Sequence, residues 1–326
     1  MSFAKALSAI ALGAAMALSF TGCSVPGEDG AQTAPAVDGA LKIGFSQATQ
    51  QSPFYVALTD AAKAQAQEQG DEFFYADANG DITKQNNDVQ DLITRGVNVL
   101  VINPVDPKGI TPSLAAAEAA GIKVVTVDRP VESGAAAFVG RDNKAMGELV
   151  GKAAVDTLGP AGGKIIEIQG DAGGAVARDR RDGFQAAVSA QPNITIVEGP
   201  YCDYTRSKAV TAMQDLLQAH PDLKAVYAQN DDMALGAMQV LTENHRTDVK
   251  VFGVDGLMEA VRAIADGDQY VATALNDPNA EGRLAIQTAA KVARGESVPE
   301  FVDAGTGLVD KSNAAALVGQ STFAAE

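Results

Sequence analysis

Residues 124–130 have the sequence Val-Val-Thr-Val-Asp-Arg-Pro, and the rest of the chain is best understood from this stretch outward. A continuous apolar, β-branched run of this kind is typical of a strand buried on both faces of a parallel sheet. Asp128 and Arg129 follow the run directly, and Pro130 ends it. Because open α/β sheets bind ligands at the carboxyl ends of their strands, these two charges predict one side of a site for a small polar ligand.

Strand and helix patterns alternate along the chain from Leu41 onward. Further strands are predicted at residues 43–46, 73–75, 99–102, 165–168, 194–197, 225–228, 251–254 and 270–275. Helices are predicted to begin near residues 53, 81, 110, 175, 205, 232, 257 and 280. Such alternation with short connections predicts parallel sheets covered by helices on both faces. About ten strand–helix units fit two sheets of five or six strands better than one, so we predict an α/β fold of two doubly wound parallel-sheet domains.

The amino terminus has the pattern of a secretory signal. Lys5 precedes a short apolar, alanine-rich stretch over residues 6–20, which is typical of a cleaved signal and not of a membrane span. Cys23 follows Thr-Gly and resembles the cysteine of a bacterial lipobox, although Phe20 stands where leucine is usual. We predict a signal peptide over residues 1–22, and a lipidated Cys23 with a flexible tether over residues 23–39. Plain signal cleavage beside an incidental cysteine is the alternative.

Composition and motifs exclude several classes of function. The net charge is −16 and no basic cluster is present, which argues against nucleic-acid binding. The sequence contains no G-K-[ST] phosphate loop, no G-x-G-x-x-G after a strand, no G-x-S-x-G and no His/Cys cluster at metal-ligand spacing. We therefore predict a protein that is not an enzyme and that has neither a cofactor nor a metal, with an enzyme of the doubly wound class as the rival interpretation.

Polar and aromatic side chains gather where the predicted strands end. Those that follow strands are Asn103, Asp128, Arg129, Arg178, Asn230, Asp255 and Asn276, and the aromatic ones are Phe54, Tyr55 and Tyr204. Carboxylates accept from hydroxyls, guanidinium donates in a fixed fork, and aromatic rings pack on the C–H faces of a sugar. Helix capping competes with ligand contact at each Asp and Asn, and it accounts for Asp106 and Asp232. Arg178 fits a solvated helix face with Arg180 and Arg181 equally well.

Together, several motifs resemble one family, the periplasmic ribose-binding protein and its relatives among the sugar-binding proteins of bacterial ABC importers. The resemblance runs from about Leu41 to Val309. It rests on Ser52-Pro53-Phe54-Tyr55, Val89-Gln90-Asp91-Leu92, Ile102-Asn103-Pro104, Thr126-Val127-Asp128-Arg129, Glu167-Ile168-Gln169-Gly170, Gly183-Phe184-Gln185, the run from Ala228 to Ala237, and Val254-Asp255-Gly256.

The resemblance implies a ligand held between two domains that are joined by three crossing strands. The crossings would fall near Arg141-Asp142, Asn276-Asp277 and Asp303-Ala304. This divides the chain into an N-terminal domain of residues 40–141 plus 277–303 and a C-terminal domain of residues 142–276 plus 304–326. The implied ligand-binding residues are Ser52, Phe54, Tyr55, Asp128 and Arg129 from the first domain, Arg178, Tyr204, Asn230 and Asp255 from the second, and Asn276 at a crossing.

Four of these positions depart from the ribose binders and bear on the choice of ligand. Ser52 stands in place of an asparagine, Tyr55 and Tyr204 in place of phenylalanines, and Asn276 in place of a glutamine. The resemblance implies a ribose-like pentose or related monosaccharide as ligand, with galactofuranose, another hexose or a polyol as alternatives. A transcription repressor core is disfavoured because a signal and tether precede the first strand.

The resemblance also implies partners and a location. The partners would be the permease and ATPase subunits of an ABC transporter, together with a membrane surface contacted through the lipid anchor. The protein would be a monomer outside the cytoplasm, lipid-anchored to the cell membrane or periplasmic. A ligand-sensing role that feeds a receptor is an alternative that the sequence does not separate from transport.

Overall fold

A computed structural model describes residues 39–325 of the chain. The predicted signal peptide, Cys23 and nearly all of the tether lie outside the described residues. The strands are β1 (Lys42–Gln47), β2 (Glu72–Asp77), β3 (Val99–Ile102), β4 (Lys123–Val127), β5 (Ala137–Gly140), β6 (Gly163–Gln169), β7 (Ile194–Tyr201), β8 (Leu223–Ala228), β9 (Lys250–Asp255), β10 (Tyr270–Leu275), β11 (Phe301–Asp303) and β12 (Leu308–Asp310). The helices are α1 (Pro53–Gln69), α2 (Ile82–Thr94), α3 (Thr111–Ala119), α4 (Asn143–Leu158), α5 (Ala175–Val188), α6 (Arg206–Ala219), α7 (Asp231–Glu243), α8 (Met258–Asp266), α9 (Pro278–Ala293) and α10 (Ala314–Leu317), with a 3₁₀ turn at Gly159–Ala161.

The first sheet has the strand order β11-β5-β4-β3-β1-β2, and all its pairings are parallel. The Val-Val-Thr-Val run at residues 124–127 lies in β4 near the middle of this sheet, where Val125 pairs with Val101 of β3 and with Ala137 of β5. Helices α1 and α9 pack together on one side, and α2 packs with α3 on the other. The β-branched run of β4 is buried because helices cover both of its faces. We call this sheet and its helices the first lobe.

The second sheet has the strand order β12-β10-β9-β8-β6-β7. Its pairings are parallel except at one edge, where β12 runs antiparallel to β10. Helices α4 and α5 pack on each other, as do α6 and α7, and α8 lies against β10. We call this sheet and its helices the second lobe. The predicted class of two doubly wound α/β domains is confirmed, with one antiparallel edge strand added.

The chain passes between the lobes three times. It leaves the first lobe after β5, returns after β10 to form α9 and β11, and crosses again to form β12. The connecting residues are 141–142, 276–277 and 304–307. Since both sheets present the carboxyl ends of their parallel strands toward these connections, the loops that follow the strands of the two lobes face each other.

Candidate functional site

A buried cleft lies between the two lobes. Its lining side chains are Ser52, Phe54, Tyr55, Asp128, Val176, Arg180, Tyr204, Asn230, Asp255 and Asn276. Each of them is less than a tenth exposed. We call this space the central cleft, and it gathers polar groups from both lobes into a site shielded from bulk water.

The first turn of α1 supplies one wall. Ser52 is the N-cap of this helix, and its Oγ accepts a hydrogen bond from the Phe54 N–H at 3.3 Å. Pro53 occupies the first helical position, where its missing N–H costs nothing. The rings of Phe54 and Tyr55 meet edge to face with centroids 5.6 Å apart. The cap therefore fixes two aromatic faces beside the cleft.

The end of β4 supplies a carboxylate. Asp128 has φ of 62°, a left-handed conformation that aspartate tolerates better than most residues, and it therefore turns the chain sharply out of the strand. Its Oδ2 accepts from Asn103 Nδ2 at 3.3 Å. Burial raises the pKa of Asp128, while Arg129 and Arg180 oppose that rise.

Arg129 lies beside the central cleft and does not line it. Its Nη2 donates to the hydroxyl of Tyr55 at 2.7 Å, and its Nη1 donates to the carbonyl of Pro104 at 3.1 Å. The same Nη2 is 3.9 Å from Asp171 Oδ2, across the gap between the lobes. Arg129 therefore orients Tyr55 and links the two lobes.

The arginine that enters the cleft from α5 is Arg180, so the prediction of Arg178 at this place is wrong. The Arg178 side chain is 54% exposed and pairs with its neighbour Asp179 at 3.1 Å. Two residues along an α-helix turn through about 200°, so these two arginines occupy opposite faces of α5. Val176, Arg180 and Phe184 share the buried stripe at helical spacing, a sequence signal that distinguishes the two arginines. Val176 was likewise absent from the prediction.

Arg180 is held by several acceptors in the second lobe. Its Nη1 donates to the carbonyl of Gln229 at 2.6 Å, and its Nε donates to Asn143 Oδ1 at 2.9 Å. Nη1 also lies 3.7 Å from Asp255 Oδ1, and the guanidinium carbon is 5.9 Å from the centre of the Tyr204 ring. These contacts fix the guanidinium in one orientation.

Asn230 both caps a helix and lines the cleft. Its Oδ1 accepts from the Met233 N–H at the start of α7, and its Nδ2 donates to the carbonyl of Tyr204 at 3.3 Å. Helix capping and ligand contact were competing interpretations of this residue, and the geometry places it where both are satisfied.

Asp255 and Asn276 form the floor of the cleft. Asp255 is the last residue of β9 and has φ of 131°, and its Oδ1 accepts from Asn276 Nδ2 at 3.0 Å. Burial raises the pKa of Asp255 to about 8, and Asp231 adds to this rise while Arg180 opposes it. The carboxyl is thus held where little water reaches it, and hydrogen-bonding partners are needed to compensate for its burial.

Tyr204 closes the second-lobe wall. It adopts a φ of 57°, and Gly170 beside it admits the ring because a Cβ there would overlap the phenol. The hydroxyl is buried and has no hydrogen-bond partner among residues 39–325. Burial raises the pKa of this phenol well above its ordinary value, so the hydroxyl is neutral and available as a donor.

Contacts beyond the cleft lining also join the lobes. Phe54 meets Phe323 edge to face at 6.1 Å, and the segment carrying Phe323 pairs with Leu257 of the second lobe.

Within the part of the chain that the structure describes, no helix has the length and apolarity needed to cross a membrane. Over the same range, no group of three or more His, Cys, Asp or Glu side chains is arranged to hold a metal ion.

The lining suits the binding of a small polyhydroxyl molecule. It combines carboxylate acceptors, guanidinium and amide donors, and the faces of Phe54, Tyr55 and Tyr204. Two lobes that meet over such a buried polar cleft define a solute-binding protein.

A family model described as the periplasmic binding protein domain matches residues 43–297, and the chain belongs to that family. The ribose import binding protein RbsB of Bacillus subtilis (strain 168) is 36% identical over 263 residues, which span 80% of this chain and 85% of that protein. The resemblance to ribose-binding proteins is therefore confirmed. The protein is of the solute-binding class and not an enzyme.

Solved structures share the fold over nearly the same range. An ABC transporter solute binding protein from Mycobacterium smegmatis with bound glycerol is 95% identical, with a TM-score of 0.87, and covers 88% of this chain and 100% of that one. A second Mycobacterium smegmatis protein, in complex with β-D-fucofuranose, is 33% identical, with a TM-score of 0.82. That match covers 86% of this chain and 94% of that one.

Proposed function

We propose that the protein binds a ribose-like pentose or a related monosaccharide in the central cleft and delivers it to an ABC importer. The observation that carries this proposal is the convergence of Asp128, Arg180 and Asp255 with three aromatic rings in one buried space. The lining side chains are all buried, which favours a ligand of one sugar ring over an oligosaccharide. The similarity to a ribose import binding protein supports the same ligand class.

The mechanism that follows is closure of the lobes on the ligand. A ligand that contacts Asp128 in the first lobe and Arg180 or Asp255 in the second interacts fully with the closed form alone. It therefore shifts the population toward closure by its differential affinity for the two forms. The closed form, with its cross-lobe contacts in place, is the one presented to the permease.

The first experiment is a thermal-shift panel of pentoses, hexoses, furanoses, pentitols and inositols. A ligand present at about a hundred times its Kd stabilises the folded protein by about 2.7 kcal/mol, so a pentose is expected to raise the Tm by several degrees. Isothermal titration of the hit then compares two variants from the same helix. Arg180→Ala is expected to lose measurable binding, while Arg178→Ala keeps the affinity of the parent.

Two outcomes would contradict the proposal. No shift with any sugar or polyol would remove the assignment of a monosaccharide ligand. Equal loss of affinity in both arginine variants would show that the ligand does not occupy the central cleft.

An acyclic polyol is the second candidate, because the 95% identical structure contains glycerol. The panel separates the candidates by pairs that differ in ring closure, such as ribose and ribitol or xylose and xylitol. A larger shift with the pentitol than with its parent sugar would assign the polyol. A furanose that raises the Tm more than either the pentose or the pentitol would favour the galactofuranose-like alternative.

The family indicates an extracytoplasmic location. Lipidation of Cys23, a monomeric state and a signalling role remain predictions from the sequence. They concern residues outside the described range or partners that no contact in the structure represents.

A further inference from the structure

Arg141 contacts all three connections between the lobes. It belongs to the first connection, and its Nη2 donates to the carbonyl of Asp277 in the second at 2.9 Å. Its Nε donates to the carbonyl of Gly305 in the third at 2.5 Å. The side chain is 3% exposed. One guanidinium therefore ties together the residues about which the lobes move.

The same side chain fixes the amide of Asn276, which lines the central cleft. Arg141 Nη1 donates to Asn276 Oδ1 at 2.9 Å, and Asn276 Nδ2 donates to Asp255 Oδ1 at 3.0 Å. A guanidinium only donates, so it selects the orientation in which the amide oxygen faces Arg141. The amide nitrogen then lies on the side of Asp255, and its second N–H remains for a ligand oxygen.

Glu281 of α9 balances the charge of Arg141. Its Oε2 is 2.6 Å from Arg141 Nη1, and its side chain is 1% exposed. Removing one member of such a pair leaves a buried charge without compensation, which destabilises far more than removing both. Arg141 is therefore tested together with Glu281.

The start of α4, directly after the first connection, holds the cleft arginine. Asn143, two residues beyond Arg141, accepts from Arg180 Nε through Oδ1 at 2.9 Å. Residues 141–143 thus orient one amide and one guanidinium of the central cleft, although neither Arg141 nor Asn143 lines it.

On the basis of the proposed function, we propose that Arg141 is a positioning residue for sugar recognition. It holds the Asn276 amide in the orientation that offers a donor to a ligand hydroxyl, and it does so through the three connections. Ligand affinity therefore depends on the geometry of those connections as well as on the residues of the cleft.

The test uses the ligand that the panel identifies and the double variant Arg141→Met/Glu281→Gln, which removes both buried charges. Loss of a charge-assisted orienting contact is expected to weaken binding about tenfold to a hundredfold. The matched control is Arg283→Met/Glu68→Gln, an ion pair from the same helix, at 2.6 Å, that joins α9 to α1. This control is expected to retain the affinity of the parent.

A double-mutant cycle distinguishes positioning from a general structural effect. Asn276→Ala is expected to weaken binding in the parent and to have little further effect in the Arg141→Met/Glu281→Gln background. If Asn276→Ala lowers the ligand affinity by the same factor in both backgrounds, Arg141 does not act through Asn276 and the proposal is overturned. If the double variant does not fold, Arg141→Lys keeps the charge without the fork, and the same cycle is measured there.

The outcomes also separate this inference from the proposed function. If the parent protein binds no ligand of the panel, both the proposed function and the positioning role of Arg141 are contradicted. A parent that binds, with Arg180→Ala inactive and no coupling between Arg141 and Asn276, leaves the proposed function intact and removes only the positioning role.

Discussion

Asp255 and Arg180 face each other at 3.7 Å in a region where both side chains are nearly inaccessible to water. Two further carboxyls, Asp231 and Asp128, contribute to the electrostatics of Asp255. Burial outweighs the attraction of Arg180, and the pKa of Asp255 rises from 3.8 to about 8. Protonation of this carboxyl is therefore coupled to folding.

The sign of that coupling gives a prediction for the pH dependence of stability. A carboxyl with a raised pKa in the folded state contributes stability that is complete below pH 3.8 and is lost as the pH rises through about 8. The slope is at most about 1.4 kcal/mol per pH unit for one group. Asp255→Asn is expected to exceed the unliganded parent in free energy of unfolding by a margin that grows from pH 5 to pH 9.

Urea denaturation at pH 5, 7 and 9 measures this difference. Burial raises the pKa of Glu281 while Arg141 opposes that rise, and Glu281 remains in both proteins, so its contribution cancels in the comparison. A difference between the two proteins that does not change with pH would show that Asp255 is ionised throughout the range.

Some residues of the site could be predicted from the sequence, and others could not. Three site residues could be predicted from the sequence, namely Asp128, Asn230 and Asp255. Each comes after a strand that was predicted to be buried, and the carboxyl ends of parallel strands converge. To choose between Arg178 and Arg180, one must know which face of α5 is turned toward the protein interior. The apolar residues Val176 and Phe184 mark that face, because they share it with Arg180 at helical spacing.

At the scale of elements, α4 and α5 pack in unusually close contact through glycines. A Cβ at Gly147 of α4 would overlap the carbonyl of Arg180, and a Cβ at Gly183 of α5 would overlap the carbonyl of Lys144. Both glycines lie in helix interiors, where they lower helix propensity. The close approach of the two backbones therefore sets the position of the turn that carries Arg180.

Gly147→Ala is accordingly expected to reduce both stability and ligand affinity. Overpacking of this kind costs about 1–3 kcal/mol, and the displaced turn of α5 moves the Arg180 side chain. The control is Lys152→Ala, an exposed position on the same helix, which is expected to change the free energy of unfolding by less than about 0.5 kcal/mol. Chemical denaturation and titration calorimetry of both variants provide the comparison. Unchanged affinity in a destabilised Gly147→Ala would separate the helix contact from the site.

Glycine also explains which elements the sequence did not reveal. No helix was predicted over Asn143–Leu158, because Gly147 and Gly151 interrupt its apolar pattern where α5 approaches. Strands β11 and β12 have three residues each, too few for a periodic signal, and they form through pairing with strands remote in sequence. The long buried strands and their helices were predictable because each carries its own pattern.

At the scale of the whole molecule, the lobes meet through groups that belong to different sheets. Arg129 faces Asp171, and Phe54 meets Phe323. Neither contact has a reason to persist when the lobes separate, since each partner is anchored in its own lobe. Closure and ligand binding are therefore expected to be one linked equilibrium.

Small-angle X-ray scattering with and without the ligand tests this linkage. The parent protein is expected to have a smaller radius of gyration when saturated, because the ligand bridges the lobes. Asp128→Ala is expected to show the unliganded radius at the same ligand concentration. A parent whose scattering does not respond to a ligand that it binds would mean that binding occurs without closure.

The late position of α9 and β11 in the chain has a consequence for biosynthesis. The second lobe is nearly continuous, since its sheet from β6 to β10 and its helices α4 to α8 are complete by residue 275. The first lobe starts earlier and is incomplete until residue 303 has been made, because α1 lacks its partner α9 and β5 lacks its neighbour β11. At residue 275 the second lobe lacks only its edge strand β12 and the C-terminal segment. A chain that emerges from its amino end therefore assembles the middle of its sequence first. A chaperone that acts on the growing chain would meet the apolar face of the first lobe that α9 later covers.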